Sequence, residues 1–272
     1  MRNVPTNIGP IFVDDQGRAD EPVALLWPSL FTDHRMWRDQ IAALREVGWR
    51  TLSLDPPGHG QSPGPRRGFT MDECAEAALL VLDATEVRTP IVIIGDSWGG
   101  FVAPRIALRA PNRVSGIVLF STSAERGTPM ERTRASILTK LLAIKALDTI
   151  VMRMIVGLML APETQRRQPK IGAELSERLA GWNRGGVINT VRSVLIERDA
   201  VLDSLPKVGV PALVVSGNDD KLFPSLHAAR IAEKLPDARH VEVPNAAHLI
   251  PLEMPRVANS LIIEFVQRLR RT

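Results

Sequence analysis

The segment Ile91-Val92-Ile93-Ile94-Gly95-Asp96-Ser97-Trp98-Gly99-Gly100 decides how this chain folds. Its first four residues are β-branched and apolar, which predicts a strand buried on both faces within a parallel sheet. The run that follows, Phe101–Arg109, is compatible with a helix and ends before Pro111. Strand, Gly-x-Ser-x-Gly turn and helix in this order favour a serine hydroxyl exposed at a strained turn. A small-residue turn without chemistry is the alternative, because the motif alone is common by chance.

The composition of the turn explains what such a serine could do. Gly95 and Gly99 lack a Cβ, so the strand and the helix can approach each other closely around the turn. Ser97 would then lie at the tip, with the helix N-terminus behind it. The backbone N–H of Trp98 would point to where an oxyanion could form. We therefore expect Ser97 to be a nucleophile and Trp98 to be an oxyanion donor.

Strand-like and helix-like runs alternate on both sides of the central part of the chain, which predicts an α/β fold with a mostly parallel sheet flanked by helices. An early hairpin is expected from Ile11–Val13 and the polar residues 14–17. The other predicted strands are Val23–Trp27, Arg50–Leu54, Ile91–Ile94, Val114–Phe120, Pro211–Ser216 and His240–Val243. The predicted helices outside the central part are Asp39–Val47, a helix capped by Thr70 or Asp72 that runs to Asp83, Phe101–Arg109, Ser225–Lys234 and Arg256–Arg270.

The alternation stops after residue 121, and residues 125–198 show only helical patterning. Pro162 should break this pattern, and Gln165–Lys170 should form a polar, basic link before two further helices, Ile171–Leu179 and Val187–Arg198. We therefore expect a core domain formed by residues 1–123 and 200–272. Residues 124–199 would form a helical cap, or lid, over the carboxyl edge of the sheet. An ordinary helical excursion with a Leu/Met core is the alternative.

Composition removes several classes of function. The 272 residues carry a net charge of +4 without a basic-aromatic stripe, so we expect no nucleic-acid partner. Cys74 is the single cysteine, which excludes a disulfide framework and a cysteine-based zinc site, and we expect it to be buried and inert. The apolar run 149–161 is interrupted by Arg153 and is too short to span a bilayer, and the first ten residues lack an apolar signal core. We expect a cytoplasmic protein without a membrane partner, as a monomer or homodimer.

A serine hydroxyl needs a base, which is usually a neutral imidazole. Among the five histidines, His248 lies in a loop between the last predicted strand and the last helix, where α/β proteins build their sites. His59 lies between two glycines and is expected to hold its own turn. His34 lies near the loop after the strand at 23–27, and His227 and His240 fall on a helix and a strand. His248 is therefore the candidate base.

The third member of such a set orients the imidazole and balances its charge. Asp219 and Asp220 both follow the strand that ends at residue 216, and they point in different directions, so only one can serve. The other would be a turn-forming aspartate. The chain order of serine, then aspartate, then histidine fits one of the three known arrangements of a Ser-His-Asp triad and not the other two.

These segments together resemble the α/β-hydrolase fold superfamily, and in particular its serine esterases and 3-oxoadipate enol-lactonases. The resemblance rests on Gly95–Gly99, Asp55–Ser62, Gly217–Asp220 and Ala247-His248. It covers nearly the whole chain and is weakest in residues 125–198. The family places its acid three residues after the glycine, which favours Asp220 over Asp219. It also implies a cap and requires no metal or cofactor.

One departure from the family concerns the oxyanion loop. Many members carry His-Gly after the strand equivalent to Val23–Trp27, and here that dipeptide falls on Pro28-Ser29. The resemblance then assigns the second oxyanion N–H to Leu30. Ser29 in place of glycine removes a backbone conformation with positive φ and could donate a hydrogen bond instead. Substrate contacts are expected from this loop and from the cap, at Ser29, Phe31, Leu142 and Met154.

A serine at the turn points to acyl transfer, because family members that act on epoxides or haloalkanes use aspartate there. We therefore predict a hydrolase of small carboxylic esters or lactones. A C–C bond hydrolase of a vinylogous diketone is the alternative, and it would need a carboxylate-binding residue such as Arg132, Arg134, Arg153 or Arg192. A non-catalytic ligand receptor with the same fold is a third hypothesis.

Overall fold

The strand predicted at residues 91–94 lies inside an eight-stranded sheet in the computed structural model, which describes residues 1–270 apart from the side chains of residues 179 and 180. The strands are β1 (Arg2–Val4), β2 (Ile11–Gln16), β3 (Val23–Trp27), β4 (Arg50–Asp55), β5 (Ile91–Asp96), β6 (Val114–Phe120), β7 (Ala212–Gly217) and β8 (Ala238–Val243). Their order is β1-β2-β4-β3-β5-β6-β7-β8. The pairs β1–β2 and β2–β4 are antiparallel and all the others are parallel.

Helices flank this sheet, with α2 packed on α3 and α1 packed on α11. They are α1 (Arg38–Glu46), α2 (Met71–Ala84), α3 (Trp98–Arg109), α4 (Pro129–Leu142), α5 (Asp148–Met159), α6 (Pro162–Arg167), α7 (Pro169–Ala180), α8 (Arg184–Val191), α9 (Ser225–Lys234), α10 (Ile250–Glu253) and α11 (Pro255–Leu269). Short 3-10 helices lie at His34–Trp37, Pro111–Arg113, Lys145–Leu147 and Leu202–Lys207, and Arg192–Ile196 forms a π-helical turn. None of the helices within residues 1–270 combines the length and apolarity needed to cross a bilayer.

The predicted α/β fold with a mostly parallel sheet is confirmed. The early hairpin was placed wrongly: residues 11–16 form one strand, and its antiparallel neighbours are β1 and β4. β1 was not predicted, because three residues at a sheet edge carry too few side chains to show an alternating pattern. Thr70 caps α2 and forms a reciprocal capping box with Glu73, which settles the choice left open between Thr70 and Asp72.

Helices α4–α8 are inserted between β6 and β7, and the two ends of this helical insertion meet. The carbonyl of Ala124 accepts hydrogen bonds from the N–H groups of Val201 (2.8 Å) and Leu202 (3.0 Å). The link predicted at Gln165–Lys170 is wrong, because most of it is helical: Pro162 begins α6, which is the position where a helix tolerates proline best. The helix predicted at 187–198 is divided between α8 and the π-helical turn.

Glycines determine how β5 and α3 pack against the rest of the sheet. A Cβ on Gly99 would overlap the backbone carbonyl of Trp27 in β3, and a Cβ on Gly95 would overlap the backbone of Gly99. The helix that follows is buried almost throughout, including Trp98 and Phe101. The chain therefore reverses direction within a few residues at the carboxyl end of β5.

Replacing Gly99 by alanine should lower the free energy of unfolding by about 1–3 kcal/mol, because the added methyl group must displace backbone rather than a flexible side chain. Gly157→Ala is the matched control: it lies in α5 with open space around it and should stabilise the protein by up to about 1 kcal/mol. Urea unfolding followed by circular dichroism measures both. An unchanged midpoint for Gly99→Ala would contradict the close packing described here.

Candidate active site

Ser97 lies between β5 and α3, with a backbone conformation (φ +50°, ψ −100°) that a non-glycine residue adopts only where its surroundings enforce it. Two hydrogen bonds from the end of β6 enforce it here. The N–H of Ser97 donates to the carbonyl of Phe120 (2.9 Å), and the hydroxyl of Thr122 donates to the carbonyl of Ser97 (2.8 Å). The serine is therefore held by the neighbouring strand as well as by its own turn.

Asp220 and His248, which are 28 residues apart in the chain, are hydrogen-bonded through Asp220 Oδ2 and His248 Nδ1 (2.9 Å). Asp220 is itself fixed, because its Oδ1 accepts the backbone N–H groups of Leu222 (2.8 Å) and Phe223 (3.1 Å). Asp219 is exposed and makes no such contact with the imidazole. Of the two aspartates, the structure thus brings Asp220 to the histidine.

The environment of His248 sets both its charge and its tautomer. Burial of the ring disfavours the imidazolium, but the charge of Asp220 and its hydrogen bond outweigh this and hold the pKa of His248 above its ordinary value. With Nδ1–H donated to Asp220, Nε2 is the nitrogen that remains for a hydroxyl group. This is the arrangement that a general base requires.

The sheet brings Ser97, Asp220 and His248 to one edge from three separate segments of the chain. β6 lies between β5 and β7, with Asp96 paired to Phe120 in the sheet register. Asp96 is the chain neighbour of Ser97, and the charges of both His248 and Asp220 act on its carboxyl group. The three residues predicted from the sequence therefore share the carboxyl edge of the sheet.

The two predicted oxyanion donors also lie at this edge. Trp98 is the first residue of α3, so its N–H is at the positive end of a twelve-residue helix. Leu30 lies in the loop after β3 with its side chain buried. Within residues 1–270, neither N–H donates a hydrogen bond to another residue. The residue of this loop with positive φ is Phe31 (+68°), not Ser29, which takes the place of the family's glycine.

His59 stabilises this loop as well as its own turn. Its Nδ1 lies 3.0 Å from the carbonyl of Pro57, which fixes the proton there, and its Nε2 accepts the N–H of Phe31 (3.0 Å). Complete burial lowers the pKa of His59 to about 4, so Nε2 remains an acceptor at neutral pH. Trp182 from the helical insertion packs on the rings of both His59 and Phe31. The sequence placed His59 correctly in its turn but gave no sign of the contact with Phe31.

A sequence profile described as the alpha/beta hydrolase fold matches residues 22–255. The chain belongs to the α/β hydrolase fold family. A 3-oxoadipate enol-lactonase of Acinetobacter baylyi is 24% identical over 253 residues, which are 93% of this chain and 91% of the relative. A protein of Variovorax paradoxus assigned as the carbamate hydrolase RutD is 25% identical over 95% of this chain and 97% of its own length. The solved structure of a thermophilic esterase from Thermogutta terrifontis superposes with a TM-score of 0.90 at 22% identity, covering 98% of each chain.

In this chain the second residue of the Gly-x-Ser-x-Gly motif is Asp96, and its environment is unusual. Asp96 is completely buried, and neither carboxyl oxygen has a hydrogen-bond partner within residues 1–270. The hydroxyl of Ser29 interacts with the carboxyl group but does not reach full hydrogen-bond geometry, so it too lacks a partner. Burial raises the pKa of Asp96 well above its ordinary value, because the carboxylate form is removed from water and has no hydrogen-bond donor within residues 1–270 to stabilise its charge.

Glu253 connects the helical insertion of this family member to the loop that carries His248. One carboxyl oxygen accepts the N–H of Ala161 (2.7 Å) and the hydroxyl of Thr164 (2.8 Å), and the other accepts the N–H of Ala247 (3.0 Å). The carbonyl of Met159 also accepts the N–H of His248 (3.2 Å). Sequence reasoning missed Glu253, because no local motif marks a carboxylate that joins the distant Ala161 and Thr164 to the loop at Ala247.

Phe223 forms an apolar wall beside the imidazole. Its ring lies 5.7 Å from that of His248 and 5.6 Å from that of Phe101 in α3. The buried guanidinium of Arg198 lies 4.0 Å above the Phe101 ring and donates to the carbonyl of Glu125. Burial lowers the pKa of Arg198 to about 10, which leaves it charged at neutral pH. Neither Phe223 nor Arg198 was predicted.

The four residues predicted to contact substrate have different positions. Ser29 and Phe31 are buried in the loop beside Ser97, and Leu142 is buried at the end of α4. Met154 instead lies on the exposed face of α5, 40% accessible, away from the buried face that carries Met159. Its predicted contact with substrate has no support in this position.

One group of side chains has the composition of a cation site. Ligand atoms of Asp33, His34 and Asp55 lie within 4.8 Å of one another. These side chains already have partners within the protein: Arg35 forms an ion pair with Asp33, and the His34 ring is hydrogen-bonded to Asp55 (2.7 Å). These contacts explain the group as a support for the loop before α1.

Replacing Asp96 by asparagine should stabilise the protein increasingly as pH rises. Above its ordinary pKa, Asp96 ionises in the unfolded chain but stays protonated when buried, so the wild type loses up to about 1.4 kcal/mol of stability per pH unit. The loss begins near pH 4 and continues to the folded-state pKa. Urea unfolding at several pH values measures the difference between the two proteins. Asp219→Asn, at an exposed site, should show no such trend, and a difference for Asp96→Asn that is independent of pH would contradict the assignment.

Proposed function

We propose that this member of the family is a serine hydrolase that cleaves small carboxylic esters or lactones through an acyl-enzyme on Ser97. The observation that carries the proposal is the buried hydrogen bond between His248 and Asp220 at the sheet edge where the strained Ser97 turn ends. A base with a fixed tautomer and a serine on an enforced turn are the two parts that acyl transfer requires.

The proposed reaction uses these groups in sequence. His248 Nε2 takes the proton of the Ser97 hydroxyl as its oxygen attacks the substrate carbonyl carbon. The carboxylate of Asp220 stabilises the imidazolium that forms. The N–H groups of Leu30 and Trp98 stabilise the negative oxygen of the tetrahedral intermediate. His248 then protonates the departing alkoxide. In the second half of the reaction, His248 removes a proton from water, the water oxygen attacks the acyl carbon, and the Ser97 oxygen leaves and takes that proton back from His248.

The helical insertion is proposed to act as the cap of this site. Its contacts with the His248 loop through Glu253, and with the Leu30 loop through Trp182, support this role. The buried side chains of Phe101 and Leu142 and the half-buried ring of Phe223 are suited to an acyl or alcohol group of low polarity. We propose a single-chain or homodimeric cytoplasmic enzyme, without a metal or cofactor in the reaction.

The enol-lactonase named among the relatives supports a lactone or ester substrate. The relative assigned as a carbamate hydrolase supports a carbamate as the next substrate class to test. The alternative of C–C bond cleavage receives less support. Of the four arginines it would need, Arg134, Arg153 and Arg192 are exposed, with Arg192 beside Glu197 (3.5 Å), and Arg132 alone is half-buried.

Asp220→Asn should lower kcat for a p-nitrophenyl ester by roughly 10³–10⁴-fold, because the imidazole loses both its tautomer and its counter-charge. Asp219→Asn is the matched control and should stay within about twofold of the wild type, as an exposed surface change. Ser97→Ala should lower kcat by at least about 10⁴-fold. Steady-state kinetics on folded variants test all three. Equal effects of the two asparagine substitutions, or turnover retained by Ser97→Ala, would refute the triad.

The bond that is cleaved is tested by product analysis on acyl-matched substrates: an ester, a lactone, a carbamate and a vinylogous diketone. We expect kcat/KM for the ester or lactone to exceed that for the carbamate by roughly tenfold or more, because nitrogen donation makes the carbamate carbonyl less electrophilic. Mass spectrometry then distinguishes the products: an acid and an alcohol from the ester, one hydroxy acid from the lactone, an amine, carbon dioxide and an alcohol from the carbamate, and two carbon fragments from the diketone. A preference for the carbamate or diketone would overturn the substrate class but not the triad. No turnover of any substrate would favour the receptor hypothesis.

A further inference from the structure

The outer side of the helical insertion carries an unusual share of the exposed apolar surface. Ten large apolar side chains are exposed within residues 1–270, and six of them fall between residues 130 and 158. These six are 40–66% accessible: Met130, Ile137, Ile144, Ile150, Met154 and Leu158. Single exposed apolar residues are ordinary, but a concentration of this kind marks an interaction surface.

The periodicity of α5 shows that this exposure is organised. Ile150, Met154 and Leu158 are spaced by four residues and lie on one face of the helix, whereas Val151 and Ile155 are buried on the other. Gly157 shares the exposed face, and a Cβ there would meet nothing within 4 Å. The helix therefore has one face for the protein interior and a second apolar face that nothing in residues 1–270 covers.

The charged side chains beside the exposed apolar ones indicate what kind of partner could cover this face. Arg134, Lys140, Lys145 and Arg153 are exposed among the six apolar residues, and we call the ten residues together the basic apolar face. The acidic residues of 128–162 offset them only in part. Asp148 is paired with Arg184 (2.7 Å), and the one negative charge of Glu131, which caps α4, stands against four cations. The basic apolar face thus has an excess of positive charge around an apolar stripe.

We propose that the basic apolar face binds peripherally to the surface of an anionic phospholipid bilayer. Apolar side chains would enter the interface while the lysines and arginines contact the headgroups, as in helices that lie in the plane of a membrane. A symmetric dimer through the same face would place its cations against those of the partner copy, which disfavours that occupant. The proposal revises the expectation of no membrane partner, and it does not depend on the catalytic triad.

Co-sedimentation of the full chain with vesicles tests the proposal. Phosphatidylcholine vesicles that contain phosphatidylglycerol should bind the protein roughly tenfold more tightly than pure phosphatidylcholine, and roughly 1 M salt should remove most of the difference. Ile150→Ser with Leu158→Ser should weaken binding to the anionic vesicles by roughly tenfold or more, because two inserted apolar side chains are lost. Lys145→Glu with Arg153→Glu should abolish the preference for anionic lipid.

Leu226→Ser with Val257→Ser is the matched control, since these residues are comparably exposed outside the insertion and should not matter. Thermal unfolding establishes that every variant is folded. Binding without a lipid preference, or binding retained by Ile150→Ser with Leu158→Ser, would overturn the proposal. Sedimentation velocity gives a further test: a dimer that the same two serines dissociate would assign the basic apolar face to a second copy of the chain instead.

Discussion

The structure depends on how closely β5 and α3 approach each other around Ser97. Gly95 and Gly99 remove the Cβ atoms that would collide with backbone, and the chain can then turn from strand to helix within a few residues. The same turn forces Ser97 to positive φ and aims the N-terminus of α3 at the edge of the sheet. The close contact of β5 with α3 and the position of Ser97 therefore depend on the same turn. A substitution that separates β5 from α3 also displaces Ser97.

The other groups of the site are held by contacts distributed over the whole chain. Asp220 orients the imidazole of His248, the backbone N–H of His248 donates to the carbonyl of Met159, and Glu253 accepts the N–H of the preceding Ala247. The helical insertion thus helps to support the loop that carries His248. Buried carboxylates with several donors are costly to rearrange, which gives this loop a single geometry.

Local sequence signals located most strands and helices but missed β1 and α6, and they did not reveal the environments of the side chains. The strand and helix around Ser97 follow from apolar pattern and glycine positions. The place after β7 left Asp219 and Asp220 open, and the resemblance to the family favoured Asp220. The raised pKa of Asp96 and the contact of His59 with Phe31 could not be predicted, because both arise from burial by residues far away in the chain. Met154 shows the same limit: an apolar pattern on a helix does not reveal which of two apolar faces is the inner one.

The central claim is that Ser97 is a nucleophile activated by His248. Reaction of the folded protein with a fluorophosphonate probe, followed by mass mapping of the peptides, tests it most directly. The probe should add once per chain, with loss of fluoride, and the adduct should lie on Ser97 and disappear in His248→Ala. An adduct on another residue, or labelling of Ser97 that persists without His248, would contradict this account.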